Sequence, residues 1–402
     1  MTTFLLGLFI MAASCYLLFI TSEPLERVGG RLGRLLHLPE DVIASTFQAL
    51  ATSGPEIVMA ILAATAFIAM NSAWEVLTVG ERGCAGCLNM SFSAMDNLLG
   101  IGCVAMIFMM WRKKRDRKGN LLRNARGEYQ YAVTGKDPVV VAPTVKAGLI
   151  FYIFSSGALC VFLQTSSHIK ILDDGREIVA HTMFVWQAWV LMAIGITFVV
   201  SQFFLPPILA RIHAQRVAAG LEPELADDAD DEDDEDRPIP RNPFWWFLDL
   251  LRNGFIYAFL VFALIVFVRE CMSATFNMAT VGIVSVGGIL IIFTSYVSSF
   301  PEFMMTYRYA VADKKSALLG MLFGSNVIDL AFAGFRAIRL GEPMEVYTTG
   351  WFQISFPFYL WCLPALALLT LLALAKRWFK YWHAYPLVVF YVIYIVSGAL
   401  LL

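Results

Sequence analysis

The chain has 402 residues, of which 58% are hydrophobic and only 15% are charged. A soluble domain carries roughly 25% charged residues, so there are too few polar side chains here to cover a soluble surface. The same arithmetic excludes a disordered chain, a collagen and a disulfide-rich secreted domain. The net charge of −2 gives no reason to expect nucleic acid, and the seven Cys lie mostly inside apolar runs. The class that remains is a polytopic membrane protein.

A bilayer core of about 30 Å needs about 20 apolar residues per helix. Ten stretches meet that length, at about 3–20, 41–70, 85–110, 141–164, 183–210, 244–268, 281–306, 316–340, 351–375 and 382–402. Ala12-Ala13-Ser14-Cys15 offers a cleaved signal segment as an alternative for the first. No basic side chain precedes its apolar run, so it reads as a span. Of the 30 Lys and Arg, 23 fall in segments 21–40, 111–146, 211–243, 307–315 and 376–383. These alternate along ten spans, which places them in the cytoplasm and both termini outside. Trp245, Trp246, Trp378 and Trp382 flank spans as an aromatic belt does.

Residues 211–243 break the chain. They carry an acidic run from Asp227 to Asp236, then Pro238, Pro240 and Pro243. The composition reads as a solvated cytoplasmic linker. A weak cation sensor is the functional alternative, but the run lacks the Gly turn and spaced ligands of an EF-hand loop. The linker separates 1–210 from 244–402, with five spans on each side. An odd number per half reverses the second half in the membrane, which is the arithmetic of an inverted repeat.

The repeat has a matching motif. The second span carries Thr52-Ser53-Gly54-Pro55-Glu56, and the seventh carries Ser298-Ser299-Phe300-Pro301-Glu302. The third carries Phe92-Ser93-Ala94-Met95-Asp96-Asn97, and the eighth Gly324-Ser325-Asn326-Val327-Ile328-Asp329. Aligned, Ser93 sits on Ser325 and Asn97 on Asp329. The i, i+4 spacing puts each pair on one helix face.

A charge near bilayer mid-depth is costly, so Glu56 and Glu302 are expected to face protein, water or an ion. A protonated Glu bridging two helices is the bland alternative for one such residue. Two in equivalent spans, each after Pro and two hydroxyls, argue for a site. Pro55 and Pro301 each remove a helical hydrogen bond, so both spans should break there. Carbonyls, hydroxyls and carboxylates are hard oxygen ligands that suit Na⁺ and Ca²⁺. Glu56, Glu302 and Asp329 bring up to three negative charges, which cannot all ionise together without a cation or bound protons.

These motifs resemble the cation/calcium exchanger superfamily, most closely the sodium/calcium exchangers, over about 41–105 and 285–335. The resemblance implies an all-α polytopic membrane protein of ten transmembrane helices in two inverted five-helix repeats. Spans 2, 3, 7 and 8 would form the core, helices 2 and 7 would be broken at mid-membrane, and spans one and six would slide across the core. It implies Glu56 and Glu302 as central ligands, Asp329 as the acidic ligand of the second repeat, and Asn97 as its amide counterpart. Ser93, Ser325, Thr52, Ser53, Ser298 and Ser299 would add hydroxyls and carbonyls, flanked by carbonyls of Ala49 and Ser295.

There are departures from the pattern. Ala51, Val297 and Phe92 replace expected Gly residues. Glu56 and Asn97 are farther apart than Glu302 and Asp329, which places extra residues near 71–86. An alternative alignment brings Asp96, not Asn97, opposite Asp329, and would make four carboxylates. Cys84-Ala85-Gly86-Cys87 is a lone C-x-x-C, too weak for a metal or redox site. All five His lie near span ends.

The expected activity is antiport of Ca²⁺ against Na⁺, with no cofactor and membrane lipid as the surrounding partner. K⁺ dependence or proton coupling on the same fold stays open. A cation channel is the competing class, but it has no need of inverted repeats with paired broken helices. Motifs for a membrane enzyme are lacking.

Overall fold

Inside a bilayer, a helix satisfies every backbone group within its own segment, so long apolar runs become helices. The structure, a computed structural model, describes residues 2–54, 56–57, 60, 79–113, 121, 129–131, 133–171, 175, 177–219, 239–279, 295, 298–347 and 351–400. Helix α1 covers Thr2–Leu35. Helix α2 (Glu40–Ile43) widens into a π turn at Ala44–Gln48 and continues as α3 (Ala49–Thr52). Helix α4 (Val79–Met95) passes through a second π turn, Asp96–Ile101, into α5 (Gly102–Trp111). Then come α6 (Pro143–Thr165), α7 (Val185–Ala218) and α8 (Pro243–Ala279). The chain continues with α9 (Phe300–Ala312), α10 (Lys315–Phe332), α11 (Phe335–Leu340), α12 (Trp351–Ala375) and α13 (Ala384–Leu400).

Among the described residues six helices are long and apolar enough to cross a membrane. They fall on the third, fourth, fifth, sixth, eighth and ninth expected stretches, and the chain is an integral membrane protein. Helices α1 and α13 lie where the first and tenth were expected. Residues 61–70 and 281–294, parts of the second and seventh, are outside the described residues, as is 220–238 of the acidic linker. The extra residues placed near 71–86 fall partly outside them as well. From Val79 onward they extend the N-terminal end of α4 ahead of its expected start at 85.

The expectation of a wholly helical chain needs one correction. Strands β1 (Ser167–Ile171), β2 (Glu177–Met183) and β3 (Met344–Tyr347) form an antiparallel sheet in that order. Ser167 pairs with His181, and Met183 with Met344, so the sheet joins the α6–α7 and α11–α12 connections. Lys170 reaches across β2 to form an ion pair with Glu345. The strands leave little trace in the sequence because their alternation is short: Ile178 and Ala180 are buried while Glu177 and Val179 are exposed.

Burial separates a centre from a periphery. In Lys315–Leu340, 89% of the apolar window is buried, against 11% in Pro243–Phe267. Helix α10 lies directly against the first π turn. A Cβ on Gly324 would sit 2.3 Å from the Ser45 carbonyl oxygen, so only glycine allows this approach. Helix α8 packs instead along α1. Arg31 Nη2 lies 2.6 Å from Asp249 Oδ2, and Trp246 Nε1 donates to the Leu35 carbonyl at 3.1 Å.

Candidate ion-binding site

The two Pro-Glu motifs fold alike. Ser53 (φ −75°, ψ −2°) and Ser299 (φ −81°, ψ 5°) are each a single turn residue within a helical run. At the described residues the interruption is one residue wide; Pro55, where a break was expected, lies outside them. Ser53 N still donates to Ala49 O at 2.9 Å, and Ile57 N to Ser53 O at 2.9 Å. Their counterparts, Ser299 N to Ser295 O and Phe303 N to Ser299 O, measure 2.9 and 3.1 Å. A proline deletes only its own N–H, so the neighbouring bonds survive. The Ala49 and Ser295 carbonyls also accept from the Thr52 and Ser298 hydroxyls, at 3.2 and 3.0 Å. These flanking carbonyls are thus engaged within their own helices.

Across the helices the hydroxyls pair crosswise. Ser53 Oγ lies 2.7 Å from Ser325 Oγ, and Ser299 Oγ lies 2.7 Å from Ser93 Oγ. Ser325 donates to Glu302 Oε1 at 2.8 Å, while Ser93 is 3.3 Å from both Glu56 Oε1 and Asp329 Oδ2. Asn97 Nδ2 reaches Ser325 Oγ at 3.5 Å and Asn326 Oδ1 at 3.0 Å. Exchange the aligned residues of the two motifs and each central contact maps onto another. Ser53–Ser325 becomes Ser299–Ser93, Ser325–Glu302 becomes Ser93–Glu56, and Asn97–Ser325 becomes Asp329–Ser93. Ser298 faces the Glu56 carboxyl as Thr52 faces that of Glu302.

Glu56, Asn97, Glu302 and Asp329 are all 0% exposed. Each keeps one buried oxygen without a hydrogen-bond partner: Glu56 Oε2, Asn97 Oδ1, Glu302 Oε2 and Asp329 Oδ1. All four are acceptors, and buried acceptors normally find donors. Ser93 has one hydroxyl proton for three oxygen neighbours, so it cannot satisfy Glu56 and Asp329 together. Among the described residues no three His, Cys, Asp or Glu side chains converge closely enough to hold a metal unaided. Serine hydroxyls stand between the carboxyls, so the donor set mixes carboxyl, amide and hydroxyl oxygen.

Asp96 does not join this cluster. Its Oδ2 accepts from Ser295 Oγ at 2.9 Å and its Oδ1 from Tyr391 OH at 3.0 Å. Both oxygens are used, and Asn97 faces Ser325 in its place. The π turn starting at Asp96 shifts the face that the following residues present. Tyr391 reaches in over Gly100, where a Cβ would meet the ring at 2.7 Å. Tyr391 and Asn326 join these contacts from outside the expected ligand set. Asn326 stood within the eighth-span motif and was legible there, whereas Tyr391 had no signal apart from its mid-span position. Cys87 of the C-x-x-C is buried in α4.

The fold has solved counterparts. No family model and no curated protein matches the sequence. Structures of the sodium-calcium exchanger NCX_Mj do match. One soaked with 100 mM Na⁺ and 10 mM Sr²⁺ has 14% identity and a TM-score of 0.61, covering 98% of this chain and 99% of that one. One soaked with 2.5 mM Na⁺ and 0.1 mM Ca²⁺ has 15% identity and a TM-score of 0.60, covering 98% of both chains. One without Na⁺ and Ca²⁺ gives 15% identity and 0.59, covering 98% and 99%. The chain has the fold of that exchanger over nearly its whole length.

Proposed function

We propose that this chain is a secondary antiporter that exchanges Ca²⁺ for Na⁺ at the Glu56–Asn97–Glu302–Asp329 cluster. It would have ten spans in two inverted five-span repeats, both termini outside and the 211–243 linker in the cytoplasm. The observation that carries the reading is the set of four buried, unpartnered acceptor oxygens in two matched pairs. Hard cations take such oxygens, and Ca²⁺ needs about 6–8 of them. Thr52, Ser53, Ser93, Ser298, Ser299 and Ser325 are close enough to complete the set. The likeness to a sodium-calcium exchanger across the whole chain supports the same class of cargo.

Each residue type has a task in that cycle. The carboxyls neutralise the entering ion. The serine hydroxyls, which now bridge the carboxyls, turn lone pairs toward the ion in place of its lost water. The one-residue turns at Ser53 and Ser299 hold these groups without unravelling the helices. Three carboxyls around one divalent ion leave charge to spare, so replacement by several monovalent ions is electrostatically reasonable. Coupling to K⁺ or H⁺ on the same fold is the second reading. The engagement of Asp96 by Ser295 and Tyr391 weighs against a fourth carboxyl taking part.

The test is Ca²⁺ uptake into proteoliposomes, with Na⁺, K⁺ and H⁺ gradients imposed separately. Uptake that requires an outward Na⁺ gradient is the expected result. Uptake indifferent to both Na⁺ and pH gradients, as through a channel, would sink the proposal.

A further inference from the structure

Polar contacts near the Lys- and Arg-rich end of the helices sort by the bodies they join. Helices α1 and α8 form a peripheral pair, and the Arg31–Asp249 ion pair lies wholly within it. Lys314 Nζ lies 2.7 Å from Glu40 Oε1, which ties the start of α2 to the α9–α10 turn within the central set. Arg308 of α9 crosses between the two bodies. Its Nε donates to Ser22 Oγ at 3.2 Å, Nη2 to Glu23 Oε2 at 3.3 Å, and Nη1 lies 3.8 Å from Glu26 Oε2. Its guanidinium carbon stands 5.7 Å from the centre of the Phe19 ring. Residues 19, 22, 23 and 26 form one stripe along α1, so a single side chain grips a whole helix face.

The position bears on the ion cluster. Arg308 lies six residues beyond Glu302 on one helix, about 9 Å along its axis at about 1.5 Å per residue. Over this stretch α1 lies against α9. Two further side chains on the central helices hold buried, unpartnered oxygens: Thr306 Oγ1, one turn from Glu302, and Gln48 Oε1, one turn before Thr52. Gln48 Nε2 donates to the Glu26 carbonyl at 3.1 Å, and a Cβ on Gly29 would sit 2.4 Å from that nitrogen. Helix α1 therefore seats closely over polar groups that lead from Glu302 toward this end.

We propose that Arg308, with Ser22, Glu23 and Glu26, is a latch that closes α1 and α8 over the inner route to the ion cluster and opens in each transport cycle. This rests on the exchange reading above. Partly exposed ion pairs are weak, which suits a contact that must part and re-form. Glu23 also lies 2.5 Å from Arg27 Nη2 within α1, so it keeps a partner when Arg308 leaves.

The test uses the full chain in proteoliposomes. Glu23→Cys with Arg308→Cys is joined by a cleavable bifunctional thiol reagent, with single-cysteine chains as controls. Cross-linking is expected to cut exchange at least about tenfold and reduction to restore it, because one of two states is trapped. Joining Arg31→Cys to Asp249→Cys, within the peripheral pair, should leave exchange unchanged. Exchange at full rate across the Glu23–Arg308 link overturns the latch. If the unmodified chain exchanges no ion under any gradient, the exchange reading fails and the latch is read separately. Thr306→Cys should then react with a small water-soluble maleimide at least about fivefold faster when Arg308→Gln is added, and Arg308→Lys should restore part of the protection. An unchanged rate overturns the latch by that route as well.

Discussion

The two Pro-Glu motifs differ in ways that separate what the site requires from what each half adds. Ser53 and Ser299 share backbone angles, Thr52 and Ser298 cap the same carbonyl positions, and Ser93 and Ser325 take the same bridging places. The halves part at Asn97 and Asp329, and in the π turn at Asp96–Ile101, whereas α10 runs as a regular α-helix. In the proposed site the shared short hydroxyls would solvate an ion whatever its charge, and the divergent pair would set how many charges surround it. On that reading ion capture is built symmetrically, and charge selection rests on one asymmetric position.

Several substitutions would sharpen or break that comparison. The largest effect is expected for Glu56→Gln or Glu302→Gln. Loss of one charge from a buried, charge-paired site costs about 3–5 kcal/mol, so ion affinity should fall about 100-fold or more in either half. Flux measurements with both single variants test this, and a large effect in only one half would break the symmetry. Next comes Asp329→Asn, which makes the halves alike. Divalent affinity should fall at least about tenfold, a smaller loss than for either Glu if Asp329 tunes charge. The reciprocal Asn97→Asp should make uptake more sensitive to acid, because four carboxyls hold protons more readily.

Ser53→Ala and Ser299→Ala should each weaken binding about fivefold, the scale of one hydrogen bond, and by similar amounts. For Asp96 the expectation differs in kind. Asp96→Ala removes the acceptor that the Ser295 and Tyr391 hydroxyls share and should lower stability by about 1–3 kcal/mol, while Asp96→Asn should leave ion affinity within about threefold. Thermal unfolding in detergent beside ion titration separates the two outcomes.

The smallest effect belongs to the sheet. Lys170 holds the Glu345 carboxyl below its ordinary range through their hydrogen bond. The stability from that pair is complete above the ordinary carboxylate range and is lost as pH falls through the lowered value. Lys170→Ala should cost less than about 1 kcal/mol at neutral pH, and nothing in strong acid.

Much of this site was legible along the chain, because hydroxyl, proline and carboxylate recur at the same spacing in two apolar runs. Ser93 with Asn97, and Ser325 with Asp329, follow from helical periodicity alone. That spacing favours Asn97 over Asp96, but neighbours differ by only about 100° and a π turn moves the reference, so the place of Asp96 was not legible. The narrowness of the turns at Ser53 and Ser299 was hidden for a related reason: proline announces one lost bond but not how many neighbours hold. The sheet was obscured by brevity, as four to seven residues carry too little alternation beside spans of twenty.

The shortage of charge, the alternation of Lys- and Arg-rich segments with apolar runs, and the doubled motif were determined by the sequence alone, because each is a property of composition or spacing along the chain. The tertiary structure decided which oxygens remain unpartnered, which carboxyl turns to Tyr391, and where Arg308 finds its stripe on α1. Each of those depends on the offset and rotation of one helix against another. Side-chain packing and glycine contacts such as Gly324 on Ser45 set that offset, and no single segment encodes it.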